Sequence, residues 1–211
     1  MDLTPERIAA LFTRSDGAYA FARWGRPICP VVFGVDDATL ATVKGAIEAT
    51  VTLAGHKMAE TDPELGANVM VFFFRDWAEL TDVPDLDRLI PDLGPLVERL
   101  QAADAHQYRS FRFDKDGSIK ACFTFLRMRG AMAAQPAEDL ALAQAAQMLL
   151  MWSDTAFTDT SPLAVLPDGG ATVLRPEIGA VIAAAYDPIL PPTANDPAHA
   201  LRLFARIGAV A

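Results

Sequence analysis

Two glutamines in one apolar segment are the residues whose type and spacing first suggest chemistry. Gln144 and Gln147 lie three positions apart in residues 137–152, which are apolar nearly all round and predict a centrally buried helix. Residues at this spacing share one helix face. A buried side-chain amide left without partners costs about 1–3 kcal/mol. The face must therefore meet backbone at a sheet edge, ordered water or a polar cleft, and a satisfied structural pair fits the pattern as well as a cleft-lining pair.

Two residues at the end of this segment extend the candidate site. Trp152 and Asp154 follow the glutamines along the chain, and together with Gln144 and Gln147 they form the set of candidate cleft residues. The alternative for Trp152 is a cap on the core, and for Asp154 an acceptor in a turn or at a helix end. Residues 75–77 (Arg-Asp-Trp) are a second candidate, because loops at strand ends commonly carry sites. Their alternative is a surface ion pair beside a packed indole.

The sequence contains no intact motif for phosphate binding, serine hydrolysis or metal binding. The histidines His56, His106 and His199 lack a second histidine or a cysteine at metal-ligand spacing, so we expect solvated or capping roles for them. Residues 114–117 (Asp-Lys-Asp-Gly) resemble the start of a calcium loop, but Phe125 stands where the EF-hand glutamate would be. The segment instead predicts the turn of a β-hairpin. We expect no metal and no cofactor.

The elements that position these residues follow from hydrophobic period and turn signals. The predicted strands are 27–34, 67–74, 107–113 and 118–126, with short extended pieces in 161–174 around a turn at 167–170; the predicted helices include 37–54, 137–152, 176–185 and 196–207. Pro30 favours an edge position or a bulge. A strand–helix–strand unit followed by a hairpin gives a mixed sheet. We predict a single α+β domain over residues 1–211, with about four to five strands and helices packed on the sheet.

The composition argues against several kinds of partner. Eighteen basic residues against 27 acidic ones give a net charge of −9, which disfavours nucleic acid and anionic membranes. No apolar run approaches the ~20 residues of a membrane span, and the first residues carry no secretory signal. Cys29 and Cys122 lie in apolar, strand-like runs and are expected to be buried free thiols. We expect an acidic, soluble, cytoplasmic protein.

Several short segments resemble an uncharacterised bacterial family of zincin-like, metallopeptidase-like domains. They are residues 23–28 (Arg-Trp-Gly-Arg-Pro-Ile), 67–69 (Ala-Asn-Val), 144–154, and 186–188 (Tyr-Asp-Pro) followed by Leu190. The resemblance implies a strand–helix–strand unit, a hairpin edge and a central helix that carries the metal in an active zincin. Laid on residues 143–147, the H-E-x-x-H motif reads Ala-Gln-Ala-Ala-Gln. Zinc needs the two imidazoles and the reaction needs the glutamate, so the resemblance implies a degenerate site.

Three functions follow from these observations. The missing zinc ligands favour a non-catalytic binding or interaction domain, with the hairpin edge available to a peptide or protein ligand by β-augmentation. The alternative is a hydrolase whose non-zinc active site is assembled by folding and is not recognisable in the sequence. The third is a structural or oligomer-forming protein. The sequence leaves open the ligand, the oligomeric state and whether the helix face at 143–147 lines a groove or is sealed in the core.

Overall fold

The chain folds into helices and strands that are interspersed along its length. The computed structural model describes residues 3–167 and 169–210. The helices are α1 (Pro5–Ala10), α2 (Asp37–Leu53), α3 (Leu86–Leu89), α4 (Leu93–Ala102), α5 (Gly130–Ala133), α6 (Ala137–Met148), α7 (Pro176–Ala185) and α8 (Ala198–Val210), with a 3-10 helix at Trp77–Asp82. The strands are β1 (Phe21–Ala22), β2 (Pro30–Phe33), β3 (Val69–Phe74), β4 (Gln107–Phe113), β5 (Ile119–Arg127), β6 (Leu163–Val165), β7 (Thr172–Leu174) and β8 (Thr193–Ala194).

Four strands form one mixed sheet in the order β2-β3-β5-β4. β2 pairs with β3 and β3 with β5 in parallel, whereas β4 and β5 are antiparallel and form the predicted hairpin. Helix α2 connects the parallel strands β2 and β3, as a crossover between parallel strands requires. β2 begins at Pro30 and lies at one edge, where a proline is tolerated. The predicted α+β architecture with a mixed sheet is confirmed.

The central strand β3 is apolar on both faces because helices cover both sides of the sheet. Val69 and Val71 face a larger layer that contains α1, α2, α6, α7 and α8. Phe72 and Phe74 face a smaller layer built from the 3-10 helix, α3 and α4. Successive side chains of a strand alternate between faces, so a strand in this position must carry apolar residues throughout. The expectation of a strand buried on both faces is confirmed.

Helix α6 lies in the larger layer, packed against α2. The prediction that this helix reaches Trp152 is wrong, because α6 ends at Met148. Beyond it, Leu150 forms a β-bridge with Arg23, and the next residue donates its N–H to the carbonyl of Ala22 at 2.9 Å. These contacts draw the chain into an extended form, although the residues concerned are good helix formers. Tertiary hydrogen bonds therefore replace the last helical turn.

Both cysteines, Cys29 and Cys122, are buried and unpaired, as their apolar surroundings predict. The short pieces expected at 161–174 form the antiparallel pair β6–β7. Asp168, in the turn predicted between them, lies outside the described residues. None of the helices in the described ranges combines the length and apolar character that crossing a bilayer needs.

The turn from β2 into α2 depends on a glycine. Gly34 has a φ of +82°, and a Cβ built on it would lie 2.0 Å from the carbonyl oxygen of Phe73. The obstruction is the backbone of the central strand, so it cannot move aside as a flexible side chain could. Asp36 then caps α2 by accepting a hydrogen bond from the N–H of Thr39. The close approach of Gly34 to the backbone of β3 sets the position at which α2 begins. From this position α2 packs on α6.

Replacing Gly34 by alanine should lower the free energy of unfolding by at least about 3 kcal/mol, because a strained φ and an overlap with backbone must both be relieved. Gly45→Ala is the matched control, since Gly45 lies exposed in α2 with no neighbouring atom within 4 Å of an added Cβ. That change should raise stability by about 0.5–1 kcal/mol. Denaturant unfolding measures the free energy of unfolding of both variants. Equal stabilities of Gly34→Ala and Gly45→Ala would contradict the role given to Gly34.

Candidate functional site

Gln144 and Gln147 point from α6 toward the sheet at its β4 edge. Both are buried, with 4% and 9% of their surface exposed. There they meet Arg109, which projects from β4 on the same face as Thr124, its partner in β5. The polar face of the helix therefore meets a charged side chain from the hairpin, rather than only backbone or solvent.

The guanidinium of Arg109 is held by three side-chain oxygens. Its Nε donates to Thr124 Oγ1 at 3.3 Å, one Nη donates to Gln147 Oε1 at 3.2 Å, and the other donates to Gln144 Oε1. A guanidinium can only donate, so both glutamines must turn their oxygens toward it. This leaves the Gln144 amide nitrogen free to donate to Gln107 Oε1 at 2.9 Å. The glutamines are thus oriented by the charge between them.

Arg109 is a half-buried cation without an acidic partner. In the described part of the chain, no carboxylate lies within ion-pair distance of it. Burial lowers the pKa of Arg109, and a guanidinium still stays protonated near neutral pH. Burial also raises the pKa of Cys122 to about 11, so the thiol is neutral and does not balance the charge. Of five N–H donors on Arg109, two remain after the three bonds above.

A cleft of about 810 Å³ runs along β4 beside this guanidinium. One wall consists of the consecutive residues 107–111, together with Phe113. The opposite wall consists of the turn at 14–16 and residues 151–154, 157 and 158. Alternate side chains of a strand point to opposite faces, so a wall of consecutive residues is formed by the edge of the strand itself.

The cleft edge of β4 presents backbone groups that no neighbouring strand uses. β4 is the last strand of the sheet, and the N–H of Arg127 donates to the carbonyl of His106 at 2.8 Å. Hydrogen-bonded and non-bonded positions alternate in an antiparallel pair, so Tyr108 and Ser110 bond to β5. The N–H and C=O groups of Gln107 and Arg109 therefore point outward, and they have no backbone partner among the described residues.

Trp152 lies on the wall opposite β4. Its ring stacks on Phe12 with 5.2 Å between centroids and meets the edge of Phe157, while its Nε1 donates to the carbonyl of Ala146 at 3.1 Å. The side chain is half-buried, and it contributes both to the core and to the cleft. Trp152 is therefore both a cap on the core and a residue of the cleft wall.

Asp154 fastens the opposite wall to the N-terminal turn. Its carboxylate accepts hydrogen bonds from the N–H of Ser15, at 2.9 Å, and from the Ser15 hydroxyl. These bonds hold the pKa of Asp154 below its ordinary value. The structure thus brings Gln147, Trp152 and Asp154 to one cleft, with Gln144 adjoining it beneath Arg109. Asp154 acts there as the acceptor in a turn.

Arg109 is not among the site residues predicted from the sequence, although the strand pattern contains a signal for it. Positions 107, 109, 111 and 113 share one face of β4, and Phe111 packs against the main core. An arginine on that face points inward and needs acceptors. Two glutamines on one face of a buried helix are acceptors of that kind, but only the packing of α6 against the hairpin places the two sets together.

The second candidate, residues 75–77, has a structural role. Asp76 forms a capping box with Glu79 at the start of the 3-10 helix. Trp77 is fully buried, and its Nε1 donates to the carbonyl of Ala105 at 2.8 Å. Neither residue is among those that line the cleft.

The histidines lie away from the cleft. His106 is exposed, and the half-buried His56 makes a hydrogen bond of 2.8 Å with the carbonyl of Arg26. The expectation of a solvated or capping role is wrong for His199, which is 3% exposed and lies 3.0 Å from the Tyr19 hydroxyl through Nδ1. Within residues 3–167 and 169–210, no cluster of three or more His, Cys, Asp or Glu is placed to hold a metal ion.

Comparisons with known proteins give no relative for this chain. No family model, no curated protein and no solved structure matches it.

Replacing Gln144 and Gln147 together by leucine should lower the free energy of unfolding by about 2–4 kcal/mol, because the guanidinium loses two acceptors in a buried setting. Adding Arg109→Met should restore at least half of the loss, since the stranded charge is then removed as well. Denaturant unfolding of the double and triple variants gives both values. A double variant as stable as the wild type would show that the glutamines do not hold Arg109.

His199 should make stability depend on pH. Burial, helped by the charge of Arg202, lowers the pKa of His199 from 6.5 to about 4. Between these values the unfolded chain binds a proton that the folded chain does not, so stability falls as the pH falls. We expect a loss of about 2 kcal/mol between about pH 7.5 and pH 5. Denaturant unfolding of the wild type and of His199→Gln at both pH values should show this slope reduced in the variant; equal slopes would contradict it.

Proposed function

We propose that this chain is a non-catalytic binding domain that holds an extended peptide along the edge of β4. The observation that carries the proposal is the cleft of about 810 Å³ whose wall is the unpaired edge of that strand. An extended peptide adds to such an edge by main-chain hydrogen bonds, and pockets for its side chains give specificity. Gln107 and Arg109 supply the outward backbone groups, while Trp152 and Phe157 supply apolar surface opposite.

The chemistry of the lining residues supports binding rather than turnover. The carboxylates in the lining already accept local bonds, Asp154 from Ser15 and Asp16 from the N–H of Ala18 at 2.9 Å. Among the described residues, no histidine lines the cleft. The hydroxyl groups of the cleft therefore have no imidazole beside them to act as a base.

The proposal includes a scaffold related to the zincins that has lost its metal position. On the H-E-x-x-H template, Ala143 and Gln147 stand where the two zinc-binding histidines would be, and Gln144 stands for the glutamate. Here Gln144 and Gln147 bind a guanidinium instead. A fixed organic cation at this position would hold the helix against the hairpin without a metal.

A peptide is the partner class that the charge favours over nucleic acid, because the chain carries a net charge of −9. The compartment that we propose is the cytoplasm, since both cysteines are unpaired thiols.

A comparison of two substitutions at Gln107 tests the peptide site. Gln107→Pro removes the outward N–H at the first residue of β4, where a proline is tolerated, and Gln107→Ala removes the same side chain but keeps the N–H. Peptides selected from a random octapeptide library on the wild-type protein should bind the proline variant at least about fivefold more weakly than the alanine variant. Fluorescence anisotropy gives both affinities.

Two results would contradict the proposal. One is a library selection that yields no binding peptide. The other is a set of selected peptides that bind the proline and alanine variants equally well, provided that circular dichroism shows both variants to be folded.

A further inference from the structure

We infer that the ligand of this cleft presents a carboxylate to Arg109, so that the peptide bound along β4 is an acidic one. The inference rests on the proposed function for the identity of the ligand as a peptide. It rests on the contacts of Arg109 for the carboxylate.

No acid in the described chain balances the charge of Arg109. Two other partly buried arginines are paired with acids: Arg26 lies 2.8 Å from a carboxylate oxygen of Asp114, and Arg206 forms an ion pair with Asp187. Arg23 and Arg112, by contrast, bond to neutral oxygens within the described chain, as Arg109 does. Arg109 has only neutral oxygens around it within the described chain. A cation removed from water without a counter-charge is unfavourable, and an anion entering from the cleft would relieve this.

Arg109 and Gln147 retain N–H donors that no described residue uses. After its three bonds, Arg109 keeps one N–H on each Nη, and the side-chain nitrogen of Gln147 has no hydrogen-bond partner among the described residues. Arg109 and Gln147 both line the cleft. The N–H that remains on each Nη can donate to an oxygen of a carboxylate, and the Gln147 amide can add a further donor.

Arg109 lies on the edge strand β4, beside which an added strand would lie. A residue on an added strand lies directly opposite its partner, with side chains on the same face about 4.5–5.5 Å apart at Cβ. An acidic side chain opposite Arg109 would therefore point to the same face as the guanidinium. A terminal carboxylate that ends the added strand at this position has the same chemistry.

The surrounding charges favour a carboxylate over a phosphate. Arg14 lines the far wall, but Asp16 and Asp154 stand beside it in the same lining. A phosphate near neutral pH carries close to two charges and would be repelled more strongly by these acids than a carboxylate with one. A single guanidinium can balance the one negative charge of a carboxylate.

The first experiment tests the carboxylate site without assuming a peptide. Sodium acetate is titrated into ¹⁵N-labelled wild-type protein at constant ionic strength, and the Arg109 Nε–H signal is followed by NMR. Acetamide is the neutral control of the same shape, and inorganic phosphate is the competing anion. We expect a saturable shift with acetate, none with acetamide, and weaker binding of phosphate.

Variants at Arg109 connect that response to the guanidinium. Arg109→Lys keeps the charge but loses the planar fork, and it should bind acetate several-fold more weakly. Arg109→Met should not bind acetate, as judged by the side-chain amide signals of Gln144 and Gln147. No saturable shift in the wild type, tighter binding of phosphate than of acetate, or unchanged acetate binding in Arg109→Met would each overturn the inference.

The second experiment uses peptides selected on the wild-type protein. Changing the acidic residue from Glu to Gln, or amidating the C-terminus, should weaken binding roughly tenfold or more if that group meets Arg109. If the change from Glu to Gln weakens binding, the carboxylate belongs to an acidic side chain. If amidation weakens binding, the carboxylate is the C-terminus of the peptide. On Arg109→Met the same peptide change should alter affinity less than about twofold, because the partner is gone.

The two proposals fail in different ways. Peptides that bind but tolerate both changes would overturn the carboxylate inference and leave the peptide site standing. Acetate binding together with a selection that yields no peptide would overturn the proposed peptide function and leave the anion site at Arg109 supported.

Discussion

A guanidinium inserted between the edge strand and helix α6 is the interaction on which the organisation of this region depends. Arg109 brings a permanent charge under the sheet, and a charge there must be met by hydrogen-bond acceptors. Two of these come from Gln144 and Gln147 and one comes from Thr124 of the hairpin itself. Because these oxygens come from α6 and from β5 of the hairpin, the orientation of α6 and the position of β4 are coupled through one planar group.

This coupling explains why a buried polar cluster and an open cleft occur side by side. The acceptors satisfy part of the guanidinium, so the helix can remain buried, while the remaining donors lie where β4 ends the sheet. The extended segment after α6 runs along the other side of the cleft, held by backbone bonds to residues 22 and 23. The glutamine face therefore belongs to both the core and the groove: Gln144 is buried beneath Arg109, whereas Gln147 and Arg109 line the cleft.

In the proposed relation to the zincins, Arg109 would take the place of a metal beside α6. A metal needs ionisable or imidazole ligands from the helix, which residues 143–147 do not provide. A guanidinium needs neutral or acidic oxygens, and glutamine supplies them without a second charge. The consequence is a cation that is permanently part of the chain and cannot activate water as zinc does. Under the proposed function, such a centre recognises an anion.

The sequence by itself determined most of the elements and the two glutamines. Hydrophobic period, caps and turn glycines act over a few neighbouring residues, so the apolar strand β3, the hairpin and the edge position of Pro30 were all predictable. The end of α6 was not, because it depends on hydrogen bonds to a segment more than a hundred residues away. The role of Arg109 was not predictable either, although its inward position follows from the alternation of side chains along β4. Which side chain would meet the glutamines, and that a cleft would open beside them, depended on how two distant elements pack, and only the tertiary structure decides that.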